Sequence, residues 1–74
     1  MEELLEILSE VKPGVDFEKE TELVDSGILD SMAIIQLVAR LADEYDVEIT
    51  PVDLVPENFN SAEAIYALVK RIED

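Results

Sequence analysis

The sequence predicts an all-α fold: a small four-helix bundle of three main helices plus one short helix, with a long loop between helices one and two. Apolar residues recur at three- and four-residue steps in three separate segments, a spacing that places them on one face of a helix. Proline and glycine punctuate the chain between these segments, and the apolar stretch at 47–49 is too short to predict a strand.

Helix one is predicted over residues 2–11, where leucine, isoleucine and valine are interspersed with glutamates at helical spacing. Pro13 and Gly14 end it. Residues 13–29 then form a connection that is long for a compact domain, and such a loop is usually functional or held by its own apolar residues. The residues expected to pin the loop to the core are Phe17, Leu23 and Ile28.

Helix two is the strongest helix prediction and covers residues 31–45. Asp30 and Ser31 are both candidate caps, because each has a side-chain oxygen that can accept from the amides of the first turn. The pattern leaves that choice open. The predicted core face consists of Ile34, Leu37, Val38, Leu41 and Tyr45.

The last third of the chain predicts a short helix or single helical turn, followed by a final helix over residues 60–72. Thr50 suits the cap of the short element, Pro51 suits its first position, and Pro56 is expected to end it. The candidate caps of the final helix are Asn60, in a capping box with Glu63, and Ser61. Its predicted core stripe consists of Ile65, Leu68, Val69 and Ile72.

Composition limits the function. The 74 residues fit one domain, 1–74, and no apolar run is long enough to span a bilayer. The 19 acidic and 5 basic residues give a net charge of −14, which repels nucleic acid and favours basic partners. No cysteine or histidine is present, so a thiolate nucleophile and the commonest general base are missing. We therefore expect a cytoplasmic monomer that does not insert into membranes and is not an enzyme.

Ser31 lies where the long loop meets helix two. Its hydroxyl is predicted to sit at the positive end of the helix dipole, beside backbone amides that lack helical acceptors, and a phosphodiester would be stabilised there. Spacing alone favours a simpler role, because serine is a common helix cap.

The surrounding residues resemble the modification site of a known family. The segment Leu23-Val24-Asp25-Ser26-Gly27-Ile28-Leu29-Asp30-Ser31-Met32 is similar to the one that precedes the second helix in acyl and peptidyl carrier proteins. Residues 57–65 also resemble the segment that leads into the last helix of that family. The resemblance to the acyl carrier protein family covers nearly the whole chain and is weakest over residues 1–20.

This resemblance implies that Ser31 receives 4′-phosphopantetheine from coenzyme A through a phosphopantetheinyl transferase. Asp30 would position the serine for that enzyme and its metal ion. The arm would supply the thiol that the chain lacks and would carry an acyl or aminoacyl group as a thioester. The further partners implied are an acyl- or aminoacyl-activating ligase and a downstream transferase or synthase.

A second apolar stripe on helix two lies beside Ser31 and off the core face. A helix that is apolar on two sides is either buried on both or offers one side to a partner. We interpret the stripe as a docking surface, with burial under the long loop as the other reading. The predicted docking residues are Leu29, Met32, Ile35, Gln36 and Ala39.

Helix two also differs from that of fatty-acid carriers, which usually place acidic residues in its first half. The corresponding positions here are Ala33, Ile34, Gln36 and Arg40. The Asp-Ser-Met opening is more similar to D-alanyl carrier proteins and to other aminoacyl or peptidyl carriers. The cargo and pathway stay open, including fatty acid biosynthesis and nonribosomal peptide synthesis.

One alternative function is an unmodified acidic helical interaction module that binds a basic partner protein. It accounts for the charge and the apolar stripe, but it leaves the serine at the loop–helix junction unexplained. A calcium loop starting at Asp46 is not supported, because Pro51 occupies the sixth position, where glycine is needed for the turn. No metal site is predicted.

Overall fold

The computed structural model describes residues 2–73 and shows helices and loops without a strand in that range. The elements are α1 (Glu2–Val11), α2 (Ser31–Tyr45), a 3₁₀ helix (Pro51–Asp53), α3 (Pro56–Phe59) and α4 (Ala62–Glu73). The predicted fold class is confirmed: three long helices and a short one are arranged as a bundle, with residues 12–30 as the long connection. No helix between residues 2 and 73 has the length and apolarity needed to cross a bilayer.

The core is built from one face of each long helix, together with parts of the loop. Helix α1 packs against α2 and α4, and α3 packs against α4. The buried residues are Leu4, Ile7, Leu8, Phe17, Leu23, Leu29, Ala33, Leu37, Leu41, Phe59, Ala62, Ile65, Leu68 and Val69. None of the buried residues within 2–73 is polar or charged. The stability of the bundle therefore comes mainly from apolar burial, at about 1.5–3 kcal/mol for each fully buried large side chain.

The long loop is held to this core by its own apolar side chains. Phe17 and Leu23 are buried, as predicted, whereas Ile28 is only partly buried. Leu29 occupies the deeper position next to Ile28, with 1 % of its surface exposed. The buried side chains therefore anchor the loop to the core and fix the position of Asp30 at the start of α2.

Two predictions about helix ends are wrong. Pro56 does not end the short element, because the 3₁₀ helix already stops at Asp53 and Pro56 is the first residue of α3, where its missing N–H costs nothing. Helix α4 begins at Ala62 and not at Asn60. Its cap is Ser61, whose hydroxyl oxygen accepts from the Ala64 amide at 3.0 Å.

The far end of α2 is closed by Asp46, which adopts a left-handed conformation with φ of 53°. Next to it, the Tyr45 ring packs against the core, and its buried hydroxyl has no hydrogen-bond partner among residues 2–73. Burial raises the pKa of this hydroxyl above its ordinary value, and the negative charge of Glu3 adds to the increase.

Candidate functional site

Asp30 is the cap of α2, which decides the choice that the sequence left open. Its backbone is extended, and its carboxylate oxygen Oδ1 accepts from the Ala33 amide at 2.9 Å. Its carbonyl oxygen accepts from the Ile34 amide at 2.9 Å, so the helical ladder starts at this residue. Because Asp30 performs the capping, Ser31 becomes the first helical residue and its hydroxyl is not used as a cap.

Ser31 is exposed at the N-terminus of a 15-residue helix. Helix geometry leaves the first amides of α2 without an intrahelical acceptor, and the aligned peptide dipoles make this end positive. Leu37, Leu41 and Ile65 are buried, as their places on the predicted core faces require, whereas Ser31 is exposed. The hydroxyl is thus open to an enzyme from outside.

The other three serines lack this combination of features. Ser9 lies within α1, and the hydroxyl of Ser61 caps α4. Ser26 also follows an aspartate, but it lies in a turn of the long loop and not at a helix start. The carboxylate of that preceding residue, Asp25, accepts from the side-chain amide of Asn60 at 3.1 Å, so it is not a helix cap.

Ser31 opens onto an apolar groove of about 330 Å³. The groove runs between the start of α2 and the segment that contains α3. Its other lining residues are Val24, Ile34, Ile35, Leu54, Val55, Pro56 and Phe59. Apart from the serine hydroxyl, no lining side chain is polar, so the groove is suited to contact with apolar groups and not with charged ones.

The apolar stripe predicted on α2 is exposed, with one correction, and its docking role stays a prediction. Met32 and Ile35 are 65 % and 62 % exposed, and Gln36 and Ala39 are exposed beside them. Leu29 does not belong to this surface: it is buried in the core, because the loop turns inward before Asp30. The prediction for Leu29 is therefore wrong.

Three exposed apolar residues were missed by the sequence analysis. Val52 is 85 % exposed, and Leu54 and Val55 are 43 % and 40 % exposed. They lie in and after the 3₁₀ helix, and Leu54 and Val55 line the groove opposite α2. The signal was available: a short turn cannot place the side chains of residues 52, 54 and 55 on one buried face, so some of them must face solvent.

The electrostatic setting of the site is acidic. The single basic residue of α2, Arg40, is engaged by Glu10 of α1, with 2.6 Å between its guanidinium nitrogen and the carboxylate oxygen. Asp30 and Glu57 are exposed acidic residues near the two sides of the groove. Among residues 2–73, no cluster of acidic side chains has the arrangement needed to hold a metal ion.

Comparison with known proteins agrees with this geometry. A family model described as "Phosphopantetheine attachment site" matches residues 2–69. The D-alanyl carrier protein of Lactococcus lactis subsp. lactis (strain IL1403) is 31 % identical over 75 residues, covering 99 % of this chain and 95 % of the relative. The D-alanyl carrier protein of Lactobacillus delbrueckii subsp. bulgaricus (strain ATCC BAA-365 / Lb-18) is 28 % identical over 74 residues, covering 97 % and 91 %.

The residues around the start of α2 fit the family's cofactor, 4′-phosphopantetheine. A phosphodiester needs a hydroxyl that no other group occupies, and Ser31 offers one at the positive end of a long helix. The capping bond of Asp30 leaves that hydroxyl accessible. The chain therefore belongs to the acyl carrier protein family, the phosphopantetheine-attachment domains that act as carriers and are not enzymes.

Proposed function

We propose that this chain carries an acyl or aminoacyl group as a thioester on 4′-phosphopantetheine attached to Ser31, and presents that group to partner enzymes. The observation that carries the proposal is the division of work at the start of α2: Asp30 caps the helix, and Ser31 remains exposed as its first residue. The arm brings the thiol that a chain without cysteine lacks.

The loading step uses the Ser31 hydroxyl as the nucleophile. Its oxygen forms a P–O bond to the phosphorus that bears the pantetheine arm in coenzyme A, the phosphoanhydride P–O bond breaks, and adenosine 3′,5′-bisphosphate leaves. The hydroxyl proton passes to the phosphopantetheinyl transferase. The first turn of α2 stabilises the negative charge of the resulting phosphodiester.

A D-alanyl or other aminoacyl group is the cargo that we favour. The relatives named above are D-alanyl carrier proteins, and the first half of α2 lacks the acidic residues usual in fatty-acid carriers. The ammonium of an aminoacyl group gains nothing from the apolar groove beside Ser31, so we infer that such a cargo stays in solvent.

The partners that we propose are a phosphopantetheinyl transferase, an activating ligase and a downstream transferase. Met32 and Ile35 would supply the apolar contact, with Gln36 and Ala39 beside them. The net charge of −14 favours partners whose docking face is basic and accelerates their encounter with this chain.

The proposal is tested by loading the apo protein with coenzyme A and a broad-specificity phosphopantetheinyl transferase, followed by intact mass spectrometry. We expect one phosphopantetheine on the wild-type protein, none on Ser31→Ala, and wild-type loading of Ser26→Ala, the matched Asp-Ser control. Absence of loading, or undiminished loading of Ser31→Ala, would contradict the proposal. The unmodified interaction module would then be the better explanation of the charge and the apolar stripe.

A further inference from the structure

Asn60 forms hydrogen bonds to the part of the long loop that precedes Ser31 in the chain. It lies between α3 and α4, and its side-chain oxygen Oδ1 accepts from the amides of Val24 and Asp25 at 3.0 and 3.1 Å. Its nitrogen Nδ2 donates to Asp25 Oδ2 at 3.1 Å, and its carbonyl oxygen accepts from the Leu23 amide at 2.9 Å. One residue thus makes four hydrogen bonds to three consecutive residues of the long loop.

The bonded segment leads directly to the modification site. The Leu29 amide donates to the carbonyl oxygen of Leu23 at 2.8 Å, which closes residues 23–29 into a compact loop. Both leucines are buried. Asp30, the cap of α2, follows at once, so the position of the cap depends on where the neck of this loop is held.

The same bonds connect two of the chain segments that line the groove, the long loop and the segment that contains α3. The amide of Val24 donates to Asn60 Oδ1, and Val24 lines one side of the groove. Phe59, the chain neighbour of Asn60, lines another side. A change at Asn60 therefore acts on both the loop and α3.

We propose that Asn60 is a positioning residue for the loading of Ser31, and we call its four bonds to residues 23–25 the Asn60 clasp. It holds the loop against the start of α4 and so presents the Asp30–Ser31 junction in one orientation. The inference rests on the proposed function of Ser31. It predicts that loosening the clasp lowers the fraction of molecules whose serine is ready for the transferase, which raises KM and leaves kcat nearly unchanged.

The polar groups permit a swap that breaks the clasp and then restores it. Asn60→Asp keeps an acceptor for the two amides but places a second carboxylate about 3.1 Å from that of Asp25. Adding Asp25→Asn restores a donor–acceptor pair, with the donor now on residue 25. In Asp25→Asn alone, the Asn60 Nδ2 group still has an acceptor, because the new amide oxygen on residue 25 replaces the carboxylate oxygen. Asn58→Ala is the matched control: the side chain of Asn58, in α3, donates to the Asp53 carbonyl oxygen and accepts from Arg71, and both of these partners lie outside the long loop.

The experiment measures the KM and kcat of loading for these four variants, with hydrogen exchange at the Leu23 and Leu29 amides. For Asn60→Asp we expect KM to rise about tenfold, with faster exchange at both amides. A tenfold change corresponds to the loss of a hydrogen bond that contributes about 1.4 kcal/mol. The KM of the double variant should return to within about twofold of the wild-type value. The KM of Asp25→Asn and of Asn58→Ala should also lie within about twofold of it. Exchange at Ile65 in α4 reports whether the bundle as a whole stays folded.

Loading of Asn60→Asp at the wild-type KM, or a double variant that recovers neither KM nor protection, would overturn the inference. A fall in protection at Ile65 equal to that at Leu29 would also overturn it, since the effect would then be general unfolding. If the wild-type protein is not loaded at all, the proposed function fails and the positioning role fails with it. Exchange at Leu29 then shows whether the clasp exists as a structural feature.

Discussion

Asp30 and Ser31 are adjacent in the chain, but their side chains have different surroundings. The carboxylate of Asp30 accepts from the Ala33 amide, whereas the hydroxyl of Ser31 is left at the surface. A serine that had to cap its own helix would hold its hydroxyl against the backbone, where an enzyme could reach it less easily. Because Asp30 caps α2, the hydroxyl of Ser31 stays at the surface, as the proposed attachment of phosphopantetheine requires.

The capping role and the charge of Asp30 can be separated by two substitutions. Asp30→Ala loses the cap, and we expect the free energy of unfolding to fall by about 1 kcal/mol in urea titrations. Asp30→Asn keeps an acceptor for Ala33 and should retain nearly all of that stability. We expect the loading rate of both variants to fall, because Asn has no charge to offer the transferase and its metal ion. Wild-type loading of Asp30→Asn would limit the role of Asp30 to capping.

Helix α2 has two apolar faces with different environments. One face is packed against α1 and α4 and begins at Ala33, whereas Met32 and Ile35 on the other face are mostly exposed. Exposed apolar side chains beside a groove are typical of a docking surface, and Ser31 and Ile35 line the same groove. Leu29, which precedes α2 by two residues, belongs to the packed group.

Substitutions on the two faces should have opposite signatures. Leu29→Ala removes a fully buried side chain, and we expect a loss of about 2–4 kcal/mol in the free energy of unfolding. Ile35→Asp changes an exposed residue, and we expect a stability change within about 0.5 kcal/mol. The same substitution should lower kcat/KM for the transferase about tenfold, as for a central contact of an interface.

Val52→Asp is the control for this pair, because Val52 is also apolar and exposed but lies on the 3₁₀ helix and not on α2. We expect its loading kinetics to match those of the wild type. If Ile35→Asp and Val52→Asp lower kcat/KM equally, the docking surface extends beyond α2. If neither affects it, the docking role assigned to α2 is wrong.

The elements that the sequence predicts well are those defined by local pattern. Helices α1 and α2 begin and end where the apolar spacing and the flanking residues place them. The start of α4 could not be predicted in this way. The side chain of Asn60 bonds to Val24 and Asp25, which are distant in the chain, so it is unavailable as a cap. Leu29 was misplaced for the same reason: whether a loop residue points inward depends on the packing of distant segments.

Charge acts on the molecule as a whole. The net charge of −14 is carried by a body of 29 × 24 × 19 Å. The Debye length is about 30 Å at 0.01 M salt, so at low ionic strength nearly every carboxylate interacts with every other. The ion pairs Arg40–Glu10 and Lys70–Glu73 are exposed, and such pairs contribute about 0–1 kcal/mol each. We therefore expect repulsion in the folded state to outweigh these attractions.

We expect the folded state to gain stability with added salt. Screening shortens the Debye length to about 8 Å at 0.15 M, which weakens repulsion between distant carboxylates in the compact state more than in the expanded unfolded chain. A gain of about 1 kcal/mol would raise the Tm of a domain of this size by about 4–8 °C. Thermal unfolding followed by far-UV circular dichroism between 0.01 and 0.3 M sodium chloride measures this shift.

The variant Glu18→Gln/Glu22→Gln, changed at two exposed loop carboxylates, should have a higher Tm at low salt and a smaller salt dependence. A Tm that falls with salt would mean that the two ion pairs dominate over the repulsion.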